Sequence, residues 1–197
     1  MSKSDTKSAK KERKKTIRWV VTIFLVTIFV SGLITFLSDI IMEATSMIVA
    51  FLILLIIVLI GIVFDIIGMA VASADEKPFH SMAARRVVGA QEAIRLLRNA
   101  ERVSSICNDV VGDICGVVSG TASATIAAQV LARLESFSWP QLIVLAMSAL
   151  AAGLTVGGKA IGKTYAVKSC TTIVHNVGKI IWVLTHFPQY LKRKKKS

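Results

Sequence analysis

The apolar run from Ser46 to Ala74 constrains this chain more than any other feature, because Asp65 is its only charged residue. At about 1.5 Å per residue the run exceeds the roughly 30 Å hydrocarbon core of a bilayer, so as a helix it crosses with tilt or projects beyond. Its first half, MIVAFLILLIIVLI, reads as lipid-facing all round. In its second half Gly61, Asp65, Gly68 and Ala72 follow one another at spacings of four, three and four, which sets one acid in a small-residue stripe on a single helical face. A carboxylate there costs several kcal/mol unless it is paired, hydrated or metal-bound. The alternative is a position close enough to the interface to be wet.

Three further runs have the same character. Trp19–Leu37 is uncharged, lacks the small-residue end of a cleaved signal peptide and leads directly into the second span, so it is read as retained. Asp39 and Glu43 mark a short turn, which makes residues 19–45 a first transmembrane helix with its outer turn and forces an antiparallel hairpin with the second span. A third span is expected from about Ser104 to Ala132 and a fourth from about Gln141 to Ile161; the Ala and Gly content of the fourth predicts packing inside protein. Between them LESFSWPQ carries Glu135, Trp139 and Pro140, an interfacial anchor and a helix start. With 54% hydrophobic residues and a mean hydropathy of +0.65, the chain reads as an all-α integral membrane protein with four transmembrane helices.

The charged segments complete the plan. Residues 1–18 form a basic arm without apolar period, expected to be disordered against anionic lipid headgroups. Residues 75–103 read as a hairpin of two amphipathic juxtamembrane helices broken near Gly89, with arginines snorkelling to phosphates. Residues 164–186 read as an amphipathic helix lying along the interface, and residues 187–197 as a basic tail. Eight Lys or Arg lie in the arm, six in the hairpin and nine from Lys159 onward, with Arg133 alone elsewhere. Four spans with both termini cytoplasmic put every cluster on one side, as the positive-inside rule requires. The expected location is the cell membrane, multi-pass. The net charge of +12 is thus assigned to topology and lipid contact; nucleic acid is not an expected partner, since no motif for it accompanies the basic runs.

In the third span Ser105, Asp109, Asp113, Gly116 and Gly120 recur at helical spacing and share one face, with Asn108 beside it. Asp65, Asn108, Asp109 and Asp113 are therefore the candidate metal ligands, hard oxygen donors suited to Mg²⁺. Lys159 either reaches towards these acids as a counter-ion or snorkels to the headgroups. Cys107, Cys115 and Cys170 have no metal-ligand spacing and read as packing residues, and His80, His175 and His186 are scattered. No nucleophile or acid–base set is present, so the chain does not read as an enzyme.

Certain segments resemble a known family. AVASADE, the hairpin sequence AIRLLRNAERVSS and GGKAIGKTYAVKSCTTIVHNVGKIIWVL, in this order between apolar spans, look like the transmembrane domain of the CorB/CorC and cyclin-M magnesium transporters, also called domain of unknown function 21. Ala93–Ser105 resembles that family's hairpin motif and Gly158–Ala166 its exit motif, within a likeness running from about Met47 to Leu184. The resemblance implies a homodimer whose core helices hold a dehydrated Mg²⁺. Its serine-rich helix exit maps near Asp65 and Ile67, its Gly-Asn pair near Gly112 and Asp113, its exit glutamate on Lys159 and its proline on Gly162. Cystathionine-β-synthase-type domains would follow in the family; with the last residue at Ser197, a divergent form lacking them is expected. The expected function is that of a Mg²⁺ or Co²⁺ transporter, with the ion held between small-residue helix faces. The alternative is a non-transporting scaffold or regulatory subunit in which Lys159 replaces the ion.

Overall fold

The computed structural model describes residues 3–43, 45–133 and 139–194. Glu135 and the rest of the expected turn at 134–138 lie outside the described residues. Among the described residues the structure is helical, and four helices are long and apolar enough to cross a membrane: Thr16–Ile41, Met47–Ser73, Ala100–Arg133 and Pro140–Lys168. The protein is an all-α, multi-pass membrane protein.

The first of these spans belongs to α1 (Lys3–Glu43), which begins well inside the basic arm. The arm as far back as Lys3 is therefore helical rather than disordered. Lys, Arg, Glu and Ala are good helix formers, and a span already helical removes the nucleation cost of extending it. α1 packs along the outside of the bundle. Its lower end is tied by Trp19, whose ring lies 5.2 Å from the Arg102 guanidinium carbon.

α2 (Met47–Ser73) is the central helix, touching the third and fourth spans along its length. Ala50, Leu54, Val58, Gly61, Asp65, Gly68 and Val71 form its buried stripe. The first half is thus not lipid-facing all round: Ala50, Leu54 and Val58 close a core with Ala122 and Ile126 of the third span. At the far end the buried stripe passes to Ala70 and Val71, leaving Ala72 exposed.

Two short helices follow, α3 (Lys77–Ala84) and α4 (Ala90–Arg98). The break falls at Gly89, whose φ of +84° is the left-handed conformation that glycine adopts without strain. A second core joins this hairpin to the spans: Phe79, Ala93, Ile94 and Leu97 meet Ala70 and Val71 of α2 together with Ala166 and Val174. The hairpin is therefore a packed part of the domain.

The third span consists of α5 (Ala100–Ser105), a π-helical turn at Ile106–Val111 and α6 (Gly112–Arg133). The fourth, α7 (Pro140–Lys168), runs beyond the expected Ile161, and α8 (Cys170–Lys194) starts only after a break at Ser169. The expected interfacial segment from 164 thus divides between the end of α7 and α8, and the basic tail as far as Lys194 continues α8. α7 is also less enclosed than its composition predicts. One narrow strip faces the bundle, Ala151, Gly162 and Ala166, while Gly153 and Gly157 face open space. The strip suffices because Ile66 of α2 seats against Gly162, where an added Cβ would lie 2.7 Å from its Cγ1, and Ile62 seats likewise against Gly158.

Candidate functional site

Asp65 is set between the two apolar cores of α2, with 3% of its surface exposed. Four residues before it, Gly61 lets Cys115 approach: a Cβ on that glycine would lie 2.9 Å from the cysteine Cβ. Three residues after it, Gly68 makes room for the Asn108 amide, and any side chain at Gly68 would collide with Asn108 Oδ1. The small-residue stripe around Asp65 thus draws the third span against α2 at the level of the acid.

What arrives there is the π-helical turn. A π-turn carries one residue more than an α-turn and departs from the regular hydrogen-bond ladder, which is why such turns recur at functional sites. Within it Asn108 Nδ2 donates to Ser104 Oγ at 3.2 Å, which holds the amide with its oxygen towards α2. Asn108 Oδ1 and Asp65 Oδ2 are both buried without a hydrogen-bond partner. Two unpartnered acceptors at one helix interface cost about 1–3 kcal/mol each when left empty-handed, more for the charged one.

Cations stand close by. Lys163 Nζ lies 3.9 Å from Asp65 Oδ2, near enough for charge compensation and too far for a charge-assisted hydrogen bond. Lys159, one turn earlier on α7, comes instead to Gly112, its Nζ 3.3 Å from the position a Cβ would take there. The counter-charge of Asp65 is therefore Lys163. Lys159 is the lysine expected inside the fourth span, whereas Lys163 falls just past the expected end at Ile161; the i, i+4 spacing of the two lysines puts Lys163 on the same helix face.

The other two expected ligands lie elsewhere. Asp109 accepts a hydrogen bond from Ser105 Oγ at 2.9 Å, and both Asp109 and Asp113 are exposed on the outer surface of the third span. They share a face, as their spacing predicts, but Asn108, Gly112 and Ser119 form the inward face. The four candidate ligands thus divide into Asp65 with Asn108 inside and Asp109 with Asp113 outside. Among the described residues no three His, Cys, Asp or Glu side chains converge as metal ligands do. Asp65 and Asn108 supply one carboxylate and one amide oxygen on the inner side, too few for an all-protein metal cage.

Compared with protein-family models, curated proteins and solved structures, the chain matches none.

Proposed function

We propose that the protein is a divalent-cation transporter of the membrane, with Mg²⁺ or Co²⁺ as its substrate and Asp65 and Asn108 as the ion's protein ligands. The observation that carries this reading is that Asp65 Oδ2 and Asn108 Oδ1 are both buried and without a hydrogen-bond partner, Asn108 lying against Gly68, about one turn beyond Asp65 on α2. Mg²⁺ fits such a site because it usually retains several waters and takes one or two carboxylate ligands. Lys163, half exposed, acts as a tethered cation that compensates Asp65 while the site is empty and swings away when the ion arrives. Asp109 and Asp113 on the outer face then serve a homodimer contact or the approach of the ion. The cation clusters support a cell-membrane location with both termini in the cytoplasm.

The 3.9 Å approach of Lys163 to Asp65 also favours a second reading, in which the lysine permanently replaces the ion and the protein is a scaffold or regulatory subunit. Purified full-length protein separates the two. Under the transporter reading Mg²⁺ raises its melting temperature, and in proteoliposomes Asp65→Asn abolishes Mg²⁺ flux. Absence of both effects, together with loss of stability in Lys163→Met that Mg²⁺ fails to restore, establishes the scaffold.

A further inference from the structure

The α3–α4 hairpin carries a second polar feature, remote from Asp65. His80, Ala83, Gln91, Ile94, Arg95 and Arg98 line a cleft of about 300 Å³, at the small end of the roughly 300–1,000 Å³ range of ligand pockets. Gln91, Arg95 and Arg98 sit at i, i+4 and i+7 and so share one face of α4, with His80 across the cleft on α3. Ala83 and Ile94 supply an apolar floor. Apart from the floor, every group can donate a hydrogen bond, and two of them are permanent cations.

The charge is not cancelled locally. Among the described residues neither Arg95 nor Arg98 lies within ion-pair distance of a carboxylate. Glu76 meets only His80, at 3.3 Å, and Glu92 lines the neighbouring cavity with Trp182 and His186. A solvated helix face or a complement to the α4 carbonyl terminus accounts for arginines in the last turn. It does not account for Gln91 and His80 lining the same open cleft beside them.

Two guanidinium groups match a dianion, and a phosphate monoester carries about −1.5 to −2 charges near neutral pH with three acceptor oxygens. The cleft is also close to the bilayer in sequence: α3 begins four residues after α2 ends, and Arg98 precedes by two residues the helix that starts the third span. We propose that this cleft binds the phosphomonoester headgroup of an anionic membrane lipid, through Arg95 and Arg98 with Gln91 and His80 completing the donor set.

Full-length protein in detergent, titrated with dihexanoyl phosphatidic acid and followed by native mass spectrometry, tests this. Phosphatidic acid is expected to bind roughly tenfold or more tightly than the diester dihexanoyl phosphatidylglycerol. The Arg95→Gln/Arg98→Gln double variant should lose that preference, while Arg85→Gln, outside the cleft, keeps it. Both arginines are exposed, and the packing residues Ala93, Ile94 and Leu97 remain, so the double variant retains the hairpin core. Equal binding of monoester and diester, equal loss in Arg85→Gln, or unchanged binding in the double variant overturns the site. Inorganic phosphate binding as tightly as phosphatidic acid overturns the lipid as its source.

Discussion

Lys163 Nζ and Asp65 Oδ2 face each other at 3.9 Å across the α2–α7 contact, a half-exposed ammonium against a carboxylate whose side chain is 5% exposed. The asymmetry matters. Asp65 cannot leave the interior, whereas Lys163 can withdraw towards water or headgroups at little cost. Removing the lysine leaves the carboxylate buried and without a nearby cation. Lys163→Met is therefore expected to lower stability by roughly 1–2 kcal/mol, less than the 3–5 of a fully buried pair because the ammonium is half exposed. Thermal melting in detergent measures this, and adding Asp65→Asn should recover most of the loss.

The close passage at Gly68 makes a separate prediction. A methyl group there meets Asn108 Oδ1 and lies 3.0 Å from the Cys107 Cβ position, so the π-turn must move away from α2. Gly68→Ala should destabilise by roughly 1–3 kcal/mol. Gly116→Ala, with nothing within 4 Å of the added methyl, should be close to neutral in the isolated chain. Melting curves of the two variants, compared side by side, check the contrast.

At the hairpin, Gly89 combines a left-handed backbone with contact against α8. Its Cβ position lies 2.5 Å from the Lys179 backbone nitrogen and 2.8 Å from the Gly178 carbonyl carbon. Alanine at position 89 meets both penalties, at least 1–2 kcal/mol from the backbone conformation alone. Since His175 Nε2 of α8 also lies 3.2 Å from the Val88 carbonyl oxygen in the loop that leads into α4, Gly89→Ala should loosen this whole corner. Limited proteolysis should then cut near residues 85–90 well before cutting wild type.

Within the same hairpin Phe79 is fully buried among Val71, Ala93, Leu97 and Val174. Phe79→Ala is expected to cost about 3–5 kcal/mol. Trp19→Ala, which removes only a partly exposed cation–π contact to Arg102, should cost about 0.5–1 kcal/mol. Urea or thermal unfolding of the two variants ranks them.

Much of the architecture follows directly from residue patterns. Long, predominantly apolar runs locate the four spans because a bilayer requires about 20 apolar residues of helix, and Gly89 between two amphipathic stretches locates the hairpin break. Of the face expected to join Ser105, Asp109, Asp113, Gly116 and Gly120, the two acids and Gly120 are exposed, while Ser105 and Gly116 are half-buried. The helical form of the basic arm is not legible from composition, because composition alone does not disclose that an adjoining span supplies a helix nucleus.

Which way each face turns is a different kind of fact. Helical period states which residues lie together, but lipid tails are as apolar as a protein core, so apolar residues carry no signal of whether they meet lipid or another helix. The inward turn of Asn108 rather than Asp109 and the seating of Ile62 and Ile66 on Gly158 and Gly162 therefore depend on how α2, the π-turn and α7 pack together. So does the choice of Lys163 over Lys159 as the neighbour of Asp65. The acid itself is legible in the chain; its partners exist only once three helices have closed around it.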